Sequence, residues 1–367
     1  MRNYGPAAAG SLFLLCAALI LGGCSAGNGG WTATGSAETE VTGKKEETYH
    51  PDKGLLAADT DPVSDTGFYF DTVITITLYG TGQQDKIDGC FALADRYEKL
   101  FSNTVEGSDI DRINRADGDF VEVSEETVEV LKKGLEFCKT SSGIFDLTIG
   151  GVSGLWDFTG ENDTVPDKTK ISEALKHVDY TGIEIEGSRV ALKDPDAVLD
   201  LGGIAKGFIA DRMREYLLSE GVESGIINLG GNVLVVGSKP DGSSYTVGIE
   251  KPFETQQIIG KLQVTDQSVV TSGIYQRYFE KDGRIYHHIL DPKTGCPVEN
   301  GLYSVTIISD RSVDGDGLST TCFLLGPEKG MQLIEQTDGV EAIFVDDSLH
   351  LTMSSGIGSE VSFEPVS

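Results

Sequence analysis

The stretch GIINLGGNVLVVG, residues 225–237, decides the fold class, because two apolar runs meet there across a glycine pair. These runs predict two short strands, at 225–229 and 232–236, joined by a tight turn. Three more strands are expected directly after them, at 244–250, 258–265 and 268–271. A doubly wound sheet needs a helix between successive strands, so this uninterrupted succession predicts an α+β fold.

Apolar residues recur at helical spacing on both sides of this stretch. Helices are predicted at 83–101, 125–140, 168–177, 205–219, 315–325 and 327–337. Further strands are predicted at 72–79, 183–186, 189–193, 197–201 and 304–309, with a hairpin around 281–284 and a short strand pair in the tail. We therefore expect mixed sheets with packed helices, forming a single catalytic body over residues 65–367.

The N-terminal residues predict export and a lipid anchor. Residues 7–21 are almost wholly apolar, a run short for a membrane span but typical of a signal peptide. The run ends in LGGC, which resembles the lipobox of bacterial lipoproteins; an uncleaved anchor is the alternative. We expect a signal peptide at 1–23 and a flexible linker at 24–64 that starts with lipidated Cys24. The mature protein would then be held at the cell envelope, facing outside the cytoplasm.

The charge balance limits the partners. The chain has 367 residues with 58 acidic and 29 basic side chains, for a formal net charge of -29. Such a field repels nucleic acid, so no nucleic-acid partner is expected. It also repels a phosphorylated ligand, which would need a metal ion or focused donors to bind. The cysteines form no CxxC pair, which argues against a zinc site.

Three segments could carry chemistry, and the first is LDLGGIAKG at 199–207. An apolar strand ends at Asp200, and a glycine pair precedes a helix. Glycines allow a ligand to approach the backbone, a helix N-terminus attracts anions, and Lys206 could pair with a phosphate. The spacing fits neither a Walker loop nor a GxGxxG motif, and an ordinary strand-to-helix turn is the alternative interpretation.

The second segment is YHHILDPKTG at 286–295, where histidines in a strand lead into an Asp-Pro turn. Histidine titrates near neutral pH, so it can move a proton or bind a phosphate. Asp-Pro and Thr-Gly are also common turn sequences. A hairpin that carries one or two surface histidines is therefore the alternative.

The third segment is DGDGLSTT at 314–321. If a helix starts here, Asp316 and Thr320 lie one turn apart and share a face. A carboxylate and a hydroxyl on one face offer oxygen ligands to Mg²⁺, which prefers few protein oxygens together with waters and phosphates. The alternative is an aspartate N-cap followed by a threonine in the first turn.

Eight segments, taken in order, resemble the ApbE family of FAD:protein FMN transferases. They are FDTVITI at 70–76, FSNTVEGSDIDRIN at 101–114, GIFDLTIGGVSGLWDF at 143–158, LDLGGIAKG at 199–207, INLGGN at 227–232, TSG at 271–273, HHILDPKTG at 287–295 and DGLSTTCFLLG at 316–326. The resemblance implies a T-fold-like catalytic body. It also implies a Mg²⁺-dependent enzyme that moves FMN from FAD to a Ser or Thr hydroxyl of an acceptor flavoprotein and releases AMP.

The resemblance also implies site residues. The magnesium ligands would be the Gly203 carbonyl, Asp316 and Thr320. The FAD contacts would include Phe70, Thr104, Phe145, Asp146, Asp200, Lys206 and Leu290. His288 is the first candidate for the general base and Asp291 the second, while Lys206 would hold a phosphate. Thr104 stands where relatives often place an aromatic residue that stacks on the isoalloxazine ring.

Other functions stay open at this point. An FAD pyrophosphatase would make FMN and AMP without an acceptor, and a non-catalytic lipoprotein would bind FAD without turning it over. A solute-binding lipoprotein of a transporter fits the lipobox but not the ordered segments. For the transferase, the family implies a separate acceptor flavoprotein, such as an exported subunit of a membrane redox pump.

Overall fold

The structure is a computed structural model that describes residues 61–158 and 163–366. Its helices are α1 (Gln84–Phe101), α2 (Asp109–Asn114), α3 (Glu125–Thr140), α4 (Gly150–Ser153), α5 (Lys168–Ala174), α6 (Ala205–Ser219), α7 (Ser312–Leu325) and α8 (Pro327–Ile334). The first eight strands are β1 (Pro62–Tyr69), β2 (Thr72–Tyr79), β3 (Val121–Glu122), β4 (Ile183–Glu186), β5 (Arg189–Leu192), β6 (Ser224–Leu229), β7 (Asn232–Gly237) and β8 (Tyr245–Lys251). The others are β9 (Glu254–Val264), β10 (Ser268–Gly273), β11 (Tyr278–Lys281), β12 (Arg284–His287), β13 (Leu302–Ser309), β14 (Val340–Asp346), β15 (Leu351–Met353) and β16 (Ser362–Pro365). The predicted α+β class is confirmed.

An eight-stranded antiparallel sheet forms the centre of the fold, with the strand order β1-β2-β6-β7-β10-β13-β14-β15. Helices α1, α6 and α7 pack on one of its faces. Alternate residues of β2, Ile74, Ile76 and Leu78, are fully buried against them, as the period of two in a strand requires. Phe323 of α7 is also fully buried in this core, which fixes α7 against the sheet.

A smaller sheet, of strand order β16-β9-β8, packs against the other face of the central sheet. Tyr245 and Leu262 of this small sheet share a fully buried second core with Val235 of β7. The middle of the central sheet is therefore buried on both faces. That double burial explains why the run from Val233 to Val236 is apolar without alternation.

One predicted strand is absent, and one predicted domain bound is wrong. Residues 197–201 form only an isolated bridge, between Val198 and Ile149, because the backbone of Leu199 is bonded to a side chain instead. Asn114 Oδ1 accepts the Leu199 amide at 2.7 Å, and its Nδ2 donates to the Leu199 carbonyl at 3.1 Å. The linker predicted to end at 64 also extends too far, since β1 begins at Pro62.

Some sequence predictions concern residues that the structure does not describe. The signal peptide, Cys24 and most of the linker lie outside the described residues. Cys90, Cys138 and Cys322 are free and buried. Among residues 61–158 and 163–366, no helix has the length and apolar character needed to cross a bilayer.

Candidate active site

Asp200 shapes the glycine loop that leads into α6. Its Oδ1 accepts the Gly202 amide at 2.8 Å, and its Oδ2 accepts the Ser153 hydroxyl of α4 at 2.8 Å. An aspartate side chain that accepts the amide two residues further along the chain closes a tight turn by itself. Both oxygens of Asp200 are thus used within the protein, and its role as an FAD contact stays a prediction.

Helices α6 and α7 cap each other where they cross. The Gly207 amide of α6 donates to Asp316 Oδ2 of α7 at 2.8 Å. In return, the Ser312 and Val313 amides of α7 donate to the two oxygens of Asp211 on α6, at 2.8 and 3.1 Å. Each carboxylate satisfies amides that a helix start leaves without partners, and burial raises the pKa of Asp211.

The aspartate N-cap interpretation of α7 is wrong. The helix begins at Ser312, three residues before the predicted start, and its N-cap residue is Arg311. Asp316 therefore lies beyond the first turn and is only 2% exposed. The helices approach so closely that a Cβ on Gly207 would lie 2.3 Å from the Ser312 carbonyl oxygen, so only glycine fits there.

The three residues that the family resemblance implied as metal ligands lie beside this crossing; we call Gly203, Asp316 and Thr320 the oxygen triad. Asp316 and Thr320 lie one turn apart on α7, and a Cβ on Gly203 would lie 3.6 Å from Thr320 Cγ2. Within residues 61–158 and 163–366, no group donates a hydrogen bond to the Gly203 carbonyl. A carboxylate, a hydroxyl and a free carbonyl are ligands that suit Mg²⁺, so these residues fit the predicted ion.

Lys206 places a positive charge beside the oxygen triad. Its Nζ lies 3.6 Å from Asp316 Oδ1 and donates to the Gly202 carbonyl at 3.2 Å. Phe145 closes another side, since its ring would be 2.8 Å from a Cβ on Gly203. The triad, the lysine and the phenylalanine were all predicted as site residues, and the structure brings them together.

The adjacent histidines have different environments. His287 is 4% exposed; its Nε2 donates to the Val298 carbonyl at 3.1 Å, and its Nδ1 accepts the Ile289 amide at 3.3 Å. Both nitrogens are therefore committed, and burial lowers the pKa of His287 to about 4. His287 has a structural role as a neutral ring in the fold.

His288 keeps one nitrogen available. Its Nδ1 lies 3.2 Å from the Arg277 carbonyl, which can only accept, so Nδ1 carries the hydrogen and Nε2 the lone pair. Burial lowers the pKa of His288 to about 3, and the charges of Arg277 and Lys206 act in the same direction. His288 is therefore neutral at neutral pH and close enough to Lys206 to be influenced by its charge.

The β1–β2 hairpin brings Phe70 to the same region. Phe70 and Asp71 form its two-residue turn, both with a φ of 53°, a left-handed conformation that is uncommon for a bulky residue. Glu98 Oε1 accepts the Phe70 amide at 2.6 Å, and Arg277 Nη2 donates to the Asp71 carbonyl at 3.1 Å. The turn is thus held from both sides, and Arg277 connects it to His288.

Four further predicted residues have mainly structural contacts. Asp291 Oδ1 accepts the Lys293 amide at 2.8 Å and so forms the Asp-Pro turn, which leaves its role as second base a prediction. Leu290 is 6% exposed and packs in a third core with Trp156. Asp146 accepts the Thr148 and Tyr180 amides, and burial raises its pKa. Thr104 is exposed in the turn after α1, where its amide donates to Ser102 Oγ at 3.2 Å.

Three residues that position the site were not singled out from the sequence. They are Asn114, which holds Leu199; Arg277, which contacts both His288 and the Phe70–Asp71 turn; and Ser272, whose hydroxyl lies 3.3 Å from Thr320 Oγ1. Asn114 and Ser272 lie in quoted segments, DRIN and TSG, so their signal was present without a role. Their contacts are long-range, and no local pattern predicts them.

A second group of metal-ligand types lies elsewhere; we call His177, Asp194 and Asp196 the surface group. One ligand atom of each lies within 4.8 Å of the others. His177 Nδ1 contacts Asp194 Oδ2 at 2.8 Å, and Asp194 Oδ1 accepts the Asp196 amide at 3.0 Å. The side chains of His177 and Asp194 are 31% and 41% exposed, so solvent competes for these contacts.

Comparison with known proteins is consistent with this geometry. A protein of Klebsiella pneumoniae (strain 342) named FAD:protein FMN transferase is 41% identical over 269 residues, covering 72% of this chain and 83% of its own. A protein of the same name from Treponema pallidum (strain Nichols) is 34% identical over 292 residues, covering 75% and 81%.

Solved structures agree in fold. The crystal structure of the ApbE protein of Thermotoga maritima has a TM-score of 0.75 and 32% identity, over 80% of this chain and 97% of that one. The flavin transferase ApbE of Vibrio cholerae has a TM-score of 0.73 and 26% identity, with the same coverage. The sequence pattern of the ApbE family matches residues 70–344, which include the oxygen triad, Lys206 and His288. The chain therefore belongs to the ApbE family.

Proposed function

We propose that this chain is a Mg²⁺-dependent FAD:protein FMN transferase, which moves FMN from FAD to a Ser or Thr hydroxyl of an acceptor flavoprotein and releases AMP. The single observation that carries the proposal is the place of Lys206, whose Nζ lies 3.6 Å from Asp316 of the oxygen triad and whose charge also acts on His288. Membership of the ApbE family and the names of the relatives support the same reaction.

The oxygen triad would hold the metal ion. FAD carries a negatively charged pyrophosphate, and the chain itself has a formal charge of -29, so the substrate needs local positive charge to bind. When bound, Mg²⁺ would supply that charge and stabilise the departing AMP. Asp316 is suited to this because it is 2% exposed and its position is fixed by the Gly207 amide.

Lys206 would orient the pyrophosphate beside the triad. Its Nζ already lies near both Asp316 and the Gly202 carbonyl, at the start of α6. A helix start and an ammonium group together form an anion site. The glycine pair would allow the phosphate to approach the backbone without a side chain in the way.

His288 would act as the general base. The acceptor hydroxyl oxygen attacks the phosphorus of the FMN half, the bond from that phosphorus to the AMP oxygen breaks, and the hydroxyl proton moves to His288 Nε2. The Arg277 carbonyl keeps the proton of Nδ1 in place, so the lone pair stays on Nε2. General-base catalysis of this kind contributes on the order of 10²–10⁴-fold.

The pKa of the base would change when the substrate binds. Burial and the charges of Arg277 and Lys206 lower the pKa of His288 to about 3, and only the hydrogen bond to the Arg277 carbonyl acts in the opposite direction. A pyrophosphate held by Lys206 brings negative charge towards the ring and should raise that pKa. His288 would then become a stronger base only in the complex with FAD.

An FAD pyrophosphatase is the second candidate. Thr104 is exposed and too small to stack on a flavin ring, so the ring could be held less tightly than in relatives with an aromatic residue there. Water could then compete with the acceptor hydroxyl for the phosphorus. The products would be free FMN and AMP instead of a flavinylated protein.

We also propose that the mature protein is lipidated at Cys24 and faces outside the cytoplasm at the cell envelope. The acceptor would be a separate exported flavoprotein, with a membrane redox-pump subunit as the class that the family implies. The support is the LGGC sequence at 21–24 and the apolar run before it. Mass spectrometry of the native protein would show a diacyl-modified N-terminal cysteine, and an unmodified or uncleaved N-terminus would contradict the proposal.

The transferase is tested with the mature protein, FAD, Mg²⁺ and envelope proteins from a strain that lacks this enzyme. AMP is followed by chromatography, and covalent flavin by in-gel fluorescence and by the mass of the labelled band. A transferase adds the mass of FMN less one water to a Ser or Thr and forms AMP in equal amount. Free FMN without a labelled protein identifies the pyrophosphatase, and no AMP in either case excludes both enzymes.

A further inference from the structure

We propose that Arg277 is a positioning residue that joins the base His288 to the Phe70–Asp71 turn, so that the base and one wall of the FAD site move as one unit. The proposal rests on the transferase function, because it concerns the same base and the same substrate. It assigns to an exposed arginine a role that neither its exposure nor its sequence neighbourhood indicates.

The main chain of Arg277 holds the imidazole of His288. The Arg277 carbonyl accepts both the His288 amide and His288 Nδ1, each at 3.2 Å. These bonds continue the β11–β12 hairpin, in which Tyr278 pairs with His287. The carbonyl therefore sets both the position of the His288 backbone and the nitrogen that carries the proton.

The side chain of Arg277 holds the turn. Its Nη2 donates to the Asp71 carbonyl at 3.1 Å, across 206 positions of the sequence. Asp71 and Phe70 both have the left-handed φ of 53°. A conformation of this kind is unfavourable for a residue other than glycine and persists only when neighbours hold it. Glu98 holds the Phe70 amide on the other side, so the arginine is one of two restraints.

The guanidinium adds a second anchor to the β11–β12 hairpin. The hairpin has two strands of four residues and forms a sheet separate from the central one. Phe279 and Tyr286 pack in the third core with Trp156, which holds the hairpin by its apolar side chains only. The guanidinium connects it to the β1–β2 hairpin of the central sheet, and this connection fixes where His288 lies relative to Phe70. A displacement of about 1 Å at a reacting group can cost on the order of 10²-fold in rate.

The charge of Arg277 gives the test a specific signature. The groups that face His288 are Arg277, Lys206 and His287, and only the first two carry permanent charge near it. Removal of the guanidinium removes a positive charge, which makes protonation of His288 easier. The apparent pKa of the base in the pH profile of kcat/KM should therefore rise in Arg277→Ala and stay near the parent value in Arg277→Lys.

The experiment compares Arg277→Ala, Arg277→Lys and the control Arg284→Ala in the mature enzyme, by AMP release with FAD, Mg²⁺ and the envelope acceptor fraction. Arg284 is a matched control because it is an exposed arginine of the same hairpin, paired with Glu299 and stacked on Tyr286. We expect kcat to fall about 10–100-fold in Arg277→Ala, with the raised pKa, and little change in Arg284→Ala. Arg277→Lys should keep the parent pH profile while recovering only part of kcat.

A double variant separates positioning from general destabilisation. If Arg277 acts through His288, Arg277→Ala should cost little further rate in a His288→Ala background. Full additivity, or an unchanged pH profile in Arg277→Ala, overturns the proposal even though the parent enzyme transfers FMN. If Arg277→Ala does not fold, the pH profile and kcat of Arg277→Lys decide, and a parent-like kcat there counts against the proposal. A parent enzyme that forms no AMP overturns the proposed function itself.

Discussion

The oxygen triad and the surface group each place three metal-ligand residues close together, yet they are built differently. The triad draws Gly203 from the loop before α6, and Asp316 and Thr320 from α7. Its carboxylate is 2% exposed and its carbonyl has no hydrogen-bond donor among the described residues. The surface group takes its residues from two short surface segments, and the Asp194 carboxylate already bonds to His177 and to the Asp196 amide.

The difference shows that proximity of ligand types does not make a site. In the triad, the cost of burying Asp316 is offset by a helix amide, and the Gly203 carbonyl has no hydrogen-bond donor among the described residues. In the surface group, Asp194 accepts the Asp196 amide of its own turn and contacts His177, and solvent reaches the side chains. A buried carboxylate whose position is fixed, close to a carbonyl without a hydrogen-bond partner, indicates a functional site. Exposed clusters of acidic residues are common in proteins without a bound ion.

The largest effect expected from this difference is on activity. Asp316→Asn keeps an oxygen that can accept the Gly207 amide but removes the negative charge, so the helix crossing should survive and metal binding should not. We expect AMP release to fall by about 10³-fold or more, because a lost metal ion removes several kcal/mol of transition-state stabilisation. Asp194→Asn, the matched change in the surface group, should leave the rate unchanged. Equal losses in both variants, or no loss in Asp316→Asn, would contradict the assignment.

Metal titration sharpens the same comparison without a turnover assay. Mn²⁺, used as a paramagnetic substitute for Mg²⁺, should bind one strong site in the parent enzyme in the presence of FAD. Electron paramagnetic resonance should show that site lost in Asp316→Asn and retained in His177→Ala. If Asp316→Asn keeps the strong Mn²⁺ site and His177→Ala loses it, the metal ion binds at the surface group and the assignment to the oxygen triad is wrong.

The two histidines make a second contrast, of smaller size. His288→Ala removes the proposed base and should lower kcat about 10²–10⁴-fold with little change in stability. His287→Ala removes a buried ring that donates to Val298 and accepts from Ile289, so it should lower the free energy of unfolding by about 1–3 kcal/mol. Urea denaturation and AMP release, measured on both variants, separate the roles. A His287 variant that is stable and inactive would reverse them.

The apolar pattern of the sequence was sufficient to predict elements that are buried on one or both faces. The strand Thr72–Tyr79 and the helices Glu125–Thr140 and Ala205–Ser219 have the bounds that the sequence predicted, because their apolar periodicity is strong. The segment 197–201 has an equally apolar pattern but is held by the Asn114 side chain, a partner 85 positions away. Pattern indicates that such a segment is buried, but it does not reveal which group satisfies its backbone.

The sequence predicted which residues form the site but not the contacts that hold them in place. Asp316 and Thr320 were named from a short motif, since oxygen ligands one turn apart on a helix have a recognisable spacing, and Gly203 was implied by the family resemblance. The contacts that fix them come from the tertiary fold: Asp211 caps α7, Gly207 allows the crossing, and Arg277 holds His288. The same fold overturned the N-cap interpretation of α7, because Asp316 caps a different helix from the one in which it lies.

The helix crossing gives a stability prediction of intermediate size. A Cβ on Gly207 would lie 2.3 Å from the Ser312 carbonyl oxygen and 2.7 Å from Asp316 Cβ, so Gly207→Ala must push α6 and α7 apart. We expect the free energy of unfolding to fall by about 1–3 kcal/mol or more, with loss of metal binding. Gly221→Ala is the control for lack of space, because no atom lies within 4 Å of its Cβ position. Its φ of 74° means that this variant carries some backbone strain of its own. A parent-like melting temperature in Gly207→Ala would show that the crossing is looser than described.

The smallest effect is expected in the surface group itself. The His177 hydrogen bond and the Asp196 amide lower the pKa of Asp194, so this contact stabilises the protein above the unfolded value of about 3.9 and is lost as the pH falls through the lower folded value. Because both side chains are well exposed, His177→Ala should reduce the free energy of unfolding by less than about 1 kcal/mol at pH 7. Urea denaturation of the parent and of His177→Ala should therefore give nearly equal midpoints at pH 7, and the small difference should shrink below pH 4. A loss of several kcal/mol would mean that the surface group is restrained like the oxygen triad, and the distinction between a built site and a chance cluster would fail at this point.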